Sequence, residues 1–247
     1  MPGLSLVLVI HGESGVGKSP IGMTTPAPRL VLDVEGGTTF VAGRKVGWEP
    51  LSEAPPAPGE WDTCVVKCRD FQTFARSLEW LKSGAHPFKS VTVDSLSELQ
   101  KRCKDGLVAP TEVMAERQWG ILLTTMEAAV REMRDLRMHP TNPLECVCFL
   151  ALTDNVKGLW RPMLQGRLAM TLPALVDVVG YVAVRPDETG RMGPAQRSML
   201  VQPDPAIVAK DRTAELANGG ISGTFGPWVP GPINIVRMIG ALNSEER

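Results

Sequence analysis

The sequence predicts an α/β protein of three layers, with helices on both faces of a mostly parallel central sheet and a C-terminal antiparallel hairpin. Three observations carry this. Apolar runs of strand length recur along the 247 residues and alternate with helical patterns. The first run feeds a glycine loop and then a helix start. The last two runs flank a turn-rich segment, "PDETGRMGP", where a crossover helix would otherwise stand, so they pair antiparallel.

Each element follows from its own residues. Leu4 to Ile10 is rich in Leu and Val, as a strand buried on both faces of a parallel sheet must be. "RLVLDVE" (29–35) is a second such strand and stops at Gly36 and Gly37. Residues 50–60 carry Pro50, Pro55, Pro56 and Pro58, which makes them a surface loop. "TCVVKC" (63–68) is a third strand. Phe71, Phe74, Leu78 and Leu81 recur at helical spacing after it. "SVTVD" (90–94) is the fourth strand and "CVCFLAL" (146–152) the fifth. Between them 112–138 reads as a long helix, with Trp119, Leu122, Met126, Val130, Met133 and Leu136 on one face and mixed charge on the other. "VDVVGYVAVR" (176–185) and "RSMLVQ" (197–202) make the hairpin. With no convincing linker, residues 1–247 are expected to form one domain with a core over about 4–212. Residues 213–247 then add a loop and a short amphipathic helix bearing Ile235, Met238, Ile239 and Leu242.

Composition excludes several classes of protein. A net charge of −1 provides no global attraction to nucleic acid or anionic membrane. The five cysteines (Cys64, Cys68, Cys103, Cys146, Cys148) lack zinc spacing and are expected as reduced thiols in strands and helices. "LVLVI" is too short to cross a bilayer and has no basic region before it, so a cytoplasmic protein is expected.

The chemistry sits in the glycine loop. Gly12, Glu13, Ser14, Gly15, Val16, Gly17, Lys18 and Ser19 satisfy the Walker A pattern between a strand and a helix. Glycines let successive backbone N–H groups curl around a β-phosphate. Lys18 would neutralise β/γ oxygens and the Ser19 hydroxyl would hold Mg²⁺. Pro20 follows in the first helical turn, where its fixed φ fits and its missing N–H costs nothing. It supplies no hydroxyl or N–H for the α-phosphate, so the loop should work with a looser hold there. Asp94, ending an apolar strand, is the Walker B candidate for the metal opposite Ser19. ATP and Mg²⁺ are the expected ligands, and no Asn-Lys-x-Asp motif points to GTP.

Glu35 ends its strand on the edge where open α/β sheets bind ligands, and from there it could polarise an attacking water. Lys210 and Arg212 flank Asp211, so in an extended segment they point to one side as a phosphate clamp.

"LVLDVEGG", "VTVDSLSEL", "LPALVDVVGY" and "VAKDR" together resemble the RecA-like P-loop ATPases, most closely the phage-encoded proteins of the Sak type linked to single-strand annealing. That resemblance implies a RecA-like fold, with Glu35 as catalytic glutamate and Lys18 as its phosphate partner. It further implies Lys210 and Arg212 as a finger reaching a neighbouring subunit's γ-phosphate in a ring or filament. The family's Gln or His sensor is absent here, leaving Thr153, Asp154 or Asn155 in its place. Residues 153–171 correspond to a loop that holds single strands. Lys157, Arg161 and Arg167 would meet phosphates there and Trp160 would stack a base. On residue chemistry alone the same loop could instead close over nucleotide or pack on a neighbour. Single-stranded DNA and a single-strand-binding protein are therefore the implied partners. The expected function is a Mg²⁺-dependent ATPase in phage-type recombination or annealing. The alternatives are a nucleotide-gated annealing scaffold with little hydrolysis, or a RecA-like ATPase without DNA contact.

Overall fold

The computed structural model describes residues 5–109, 111–184, 197–214, 216, 228–230 and 233–243. The chain begins with β1 (Leu6–Gly12), α1 (Lys18–Gly22), β2 (Arg29–Asp33), β3 (Lys45–Gly47), β4 (Thr63–Lys67), α2 (Phe71–Lys82), β5 (Ser90–Asp94) and α3 (Leu96–Asp105). It continues through α4 (Glu116–Asp135), β6 (Cys146–Val156), β7 (Leu159–Pro162), α5 (Leu168–Leu175) and β8 (Val178–Val184). The last elements are β9 (Arg197–Leu200), β10 (Lys210–Asp211), β11 (Trp228–Pro230) and α6 (Ile235–Asn243).

These strands join in one sheet of order β11-β9-β8-β1-β6-β5-β2-β4-β3, with β10 added to β8 and β7 to β6. From β8 to β3 every neighbouring pair is parallel. The antiparallel members are β9, β10 and β11 at one edge and β7 beyond the end of β6. The fold is thus a three-layer α/β P-loop NTPase sheet with a C-terminal antiparallel hairpin.

Alternation along β1 shows why three layers form. Val7 and Val9 belong to one core, with α2, α3, α4 and α5 packed over it. Leu6, Leu8 and Ile10 belong to the other, with Ile21 of α1 and Ile235, Met238 and Ile239 of α6. Both faces of a central strand are therefore dry, which is what its unbroken Leu/Val run requires. α6 covers this second core, and its start is held by Thr24, whose Oγ1 accepts from Ile235 N at 2.9 Å. The two sharpest helix starts are capped by side chains. Asp70 accepts from Thr73 N for α2, and Ser95 accepts from Glu98 N for α3.

Residues 153–171 depart from the expected irregular loop. β6 runs on to Val156, turns at Lys157 and Gly158 with positive φ, and returns as β7. α5 then follows, with Leu168, Ala169, Leu172 and Leu175 buried against α4. Its weak amphipathicity and internal Pro173 conceal it from periodicity reasoning. All five cysteines are free and buried, and burial pushes each thiol up, that of Cys103 to about 11. Among the described residues no helix is long and apolar enough to cross a membrane.

Candidate functional site

β1 delivers the glycine loop at its C-terminal end, where Gly12 pairs with Leu152 of β6 and Asp94, the end of β5, pairs with Leu150 two residues below. Two glycines are required there for distinct reasons. A Cβ on Gly12 would sit 2.6 Å from the Val182 carbonyl oxygen of β8, so only glycine lets the neighbouring strand approach. Gly17 caps α1 with φ +94°, a left-handed conformation that other residues adopt at a cost of about 1–2 kcal/mol. Pro20 lies inside the first turn of α1, as expected from its missing N–H.

Lys18 is buried, and its Nζ donates to the carbonyls of Gly12 at 3.0 Å and Glu13 at 2.8 Å. Burial pulls its pKa below the usual lysine value, while the Glu35 and Asp94 carboxylates pull it back up. The neighbouring Ser19 hydroxyl bonds Asp94, whose burial pushes its carboxyl up to about 6 against that hydrogen bond. Glu35 and Asp33 raise it further, and Lys18 lowers it. A Cβ placed on Gly37 would lie 3.4 Å from Ser19 Oγ and 3.9 Å from Asp94 Oδ2, so the turn that follows Glu35 closes over this pair.

That turn is built by Asp33. Its carboxylate accepts from Gly36 N at 2.7 Å and from the Thr38 hydroxyl, folding the chain back immediately after β2. Asp33 is therefore the residue that shapes the turn, and Glu35 is the exposed acid that the turn presents. The backbone N–H groups of Val34 and Glu35 both donate to the Asp94 carbonyl, at 2.7 and 3.2 Å, locking the ends of β2 and β5 together. The Ser95 hydroxyl donates to Glu35 Oε1 and fixes the carboxylate's direction. Lys18, Ser19, Glu35 and Asp94 thus converge at one sheet edge.

Other expected site residues lie elsewhere. Lys210 pairs with Val179, which pairs with Val9, placing it two strands across from β1 and about 10 Å below Gly12 along the strand. Its Nζ donates to the carbonyls of Pro173 and Val176 at 2.7 and 2.9 Å. Arg212 Nη2 donates to the Ala174 carbonyl at 3.0 Å and its Nη1 to Asp177 at 3.2 Å. The two cations do point to one side, and what they grip is the C-terminal end of α5. Asp177 is the buried anchor of this cluster, accepting also from Val7 N and Arg137.

The sensor candidates are engaged within the β6–β7 hairpin. The Thr153 hydroxyl contacts His11 Nδ1 at 3.2 Å and donates to the Arg161 carbonyl at 3.0 Å. Asp154 pairs with Arg161 at 3.3 Å, and Asn155 accepts from Gly158 N at 2.9 Å. His11, one residue before the loop, is buried and held down to about 4, chiefly by that burial. Its Nε2 donates to the Val208 carbonyl at 2.8 Å. Arg167 pairs with Glu127 at 3.4 Å, Trp160 is joined through its backbone to Ala206 and Val208, and Lys157 stands exposed at the hairpin tip.

Three residues at or beside the loop escaped motif reasoning. Ser95 orients Glu35, and only its place after the strand-end Asp94 marks it. His11 reads as part of a buried strand. Arg197 opens β9, and its guanidinium lies against Gly17 with no spacing signal to announce it.

A strand, a glycine loop gripping a buried lysine, and a strand-end carboxylate bonded to the loop serine define a P-loop nucleoside triphosphatase. The family model described as an AAA domain matches residues 5–213, and the chain belongs to that family. It is an ATP-binding and ATP-hydrolysing domain. This corrects the expected membership among RecA-like proteins of the Sak type. The four stretches that suggested it, "LVLDVEGG", "VTVDSLSEL", "LPALVDVVGY" and "VAKDR", all fall within the span that the AAA model matches. No curated protein matches the chain. Among solved structures it is similar to a prototypical ATPase from the type III secretion system of pathogenic bacteria, at 13% identity and a TM-score of 0.45. That likeness covers 73% of this chain and 52% of the other, so the chain spans about half of that ATPase's length.

Proposed function

We propose that the domain hydrolyses Mg²⁺-ATP, with Lys18 on the β/γ oxygens, Ser19 and Asp94 holding the metal, and Glu35 polarising the attacking water. The observation that supports this reading is the closure of the Glu35 turn over the Ser19–Asp94 pair, which places a second acid beside a buried lysine. Among the described residues no three His, Cys, Asp or Glu side chains form a metal cage, so the cation would arrive on the nucleotide. Held by Ser19 and Asp94, the cation would supply charge neutralisation to the β/γ oxygens.

The chain's own residues do the rest. Ser19 offers its hydroxyl, and Asp94 must be ionised to accept the cation. Ser95 acts as a positioning residue by holding Glu35 Oε1, leaving the other carboxylate oxygen free to take a proton from water.

Within one chain Lys210 and Arg212 secure α5, and service to a neighbouring subunit's nucleotide would require those bonds to break. Self-association is part of the proposal only in that form. Single-stranded DNA is left outside it, because Arg161 and Arg167 already have carboxylate partners.

The test pairs Lys18→Ala with Glu35→Gln, following fluorescent-nucleotide binding and phosphate release. Lys18→Ala should not bind. Glu35→Gln should bind normally and lose roughly 10²–10⁴-fold in turnover. Wild-type turnover by Glu35→Gln would refute the assignment of the base.

A further inference from the structure

Arg197 stands opposite Val184 in the β8–β9 pair, two residues beyond Val182, whose carbonyl abuts Gly12. At that height the side chain reaches across to the phosphate loop. A Cβ built on Gly17 would meet Arg197 Nε at 2.8 Å, Cζ at 3.0 Å and Cδ at 3.2 Å. The guanidinium therefore lies on the face of Gly17 toward which a side chain would project, one residue from Lys18.

Its surroundings are unusual for an arginine. Nε is shut off from solvent and has no hydrogen-bond partner. Arg102 also has a buried, unpartnered Nε, but its guanidinium is ion-paired to Glu98, whereas no carboxylate among the described residues pairs with Arg197. Lys18, the other cation at the loop, has already spent two of its protons on loop carbonyls. A guanidinium with a buried, unanswered donor beside a second cation is missing an anion of matching geometry.

We propose that Arg197 is a nucleotide contact supplied in cis, donating to the diphosphate portion that ADP and ATP share. This rests on the nucleotide-site reading given above. Nε, Cζ and Cδ lie against Gly17, and the guanidinium N–H groups would donate to the phosphates, so that the ligand draws loop and hairpin edge together. β9 thereby becomes part of the site, although it lies two strands from β1.

Titration of fluorescent ADP and a slowly hydrolysed fluorescent ATP analogue, with Mg²⁺, tests the assignment in four proteins. Arg197→Met keeps the stem and removes the charge, Arg197→Lys keeps the charge, and Lys18→Ala reports on the site itself. Arg197→Met should weaken both nucleotides by roughly tenfold to a hundredfold, the range for a charge-assisted hydrogen bond. Arg197→Lys should recover part of that loss. Because Nε has no internal partner, the melting temperature of Arg197→Met should match or exceed that of the wild type. Undiminished or tighter binding by Arg197→Met while Lys18→Ala fails to bind overturns the proposal. So does a loss confined to the ATP analogue, which would assign Arg197 to the γ-phosphate. Normal binding by Lys18→Ala would instead bring down the nucleotide-site reading itself.

Discussion

Replacing Asp94 with Asn should make the empty protein more stable and the loaded protein less so. Asp94 is 2% exposed, and burial raises its carboxyl from 3.8 to about 6. A group whose folded pKa exceeds its unfolded one contributes stability below the unfolded value and loses it as pH rises through the folded one. Ionised Asp94 therefore burdens the fold above pH 6. Two units correspond to about 3 kcal/mol at most, at roughly 1.36 kcal/mol each, and relaxation leaves about 2–3. Asn removes that charge and its Oδ1 can still accept from Ser19. For a chain of this size 1 kcal/mol moves the midpoint by roughly 2–4 °C. Without nucleotide, Asp94→Asn should melt roughly 4–12 °C above the wild type at pH 8, and the gain should vanish by pH 4. Adding Mg²⁺-ADP should then raise the wild-type midpoint and leave the variant nearly unmoved. Calorimetry across pH 4–8, with and without ligand, reads both effects. Destabilisation of the empty variant at pH 8, or a gain of equal size at pH 4, would refute the electrostatic account of this residue.

Three further outcomes follow from other contacts. His11, depressed to about 4, has the opposite linkage, with stability lost as pH falls from 6.5 toward 4, so His11→Gln should flatten the acid limb of a denaturation profile. A steeper limb would count against it. Gly17→Ala forces both the left-handed backbone and a clash with Arg197, and should weaken ADP by at least about tenfold. Pairing it with Arg197→Ala relieves the clash but removes the proposed contact and keeps the left-handed strain, so titration should show no recovery of binding. Removing Arg137, whose side chain is 26% exposed, should cost about 1–3 kcal/mol in urea unfolding by leaving Asp177 short of a partner. Arg212→Ala, at a half-exposed partner, should cost less, and equal losses would contradict this ranking.

The strand framework was legible because strands buried on both faces are mainly apolar, as Leu6–Ile10 of β1, Leu30–Leu32 of β2 and Cys146–Leu150 of β6 are, while β4 and β5 carry the buried polar residues Thr63, Ser90 and Thr92 among their apolar ones. The loop was legible because backbone curvature around phosphate demands glycine at fixed offsets. Asp94 ends its strand as expected, whereas β2 stops at Asp33 and Glu35 stands two residues further on, in the turn rather than at the strand's end. The β6–β7 hairpin was not legible, since its residues are half-exposed and polar and its pairing is settled by Lys157 and Gly158 turning with positive φ. The family was misread for a related reason: short motifs report the shared chemistry of P-loop sheets rather than lineage. "VAKDR" shows the limit most plainly. Alternation correctly puts Lys210 and Arg212 on one side, but only tertiary structure reveals that this side faces the end of α5.

Lys18 enters its task already stripped of water. Folding has moved its ammonium into the protein and given it the carbonyls of Gly12 and Glu13 as substitutes for solvent. A ligand must offer more than those two neutral dipoles to draw the lysine away, and in a low-dielectric recess a phosphate oxygen does. A nucleoside, however well its base and sugar fit, offers nothing to exchange and leaves the lysine where it is. On the proposed role of Lys18, the loop's resting hydrogen bonds would act as a threshold that selects for polyphosphate before any base is recognised.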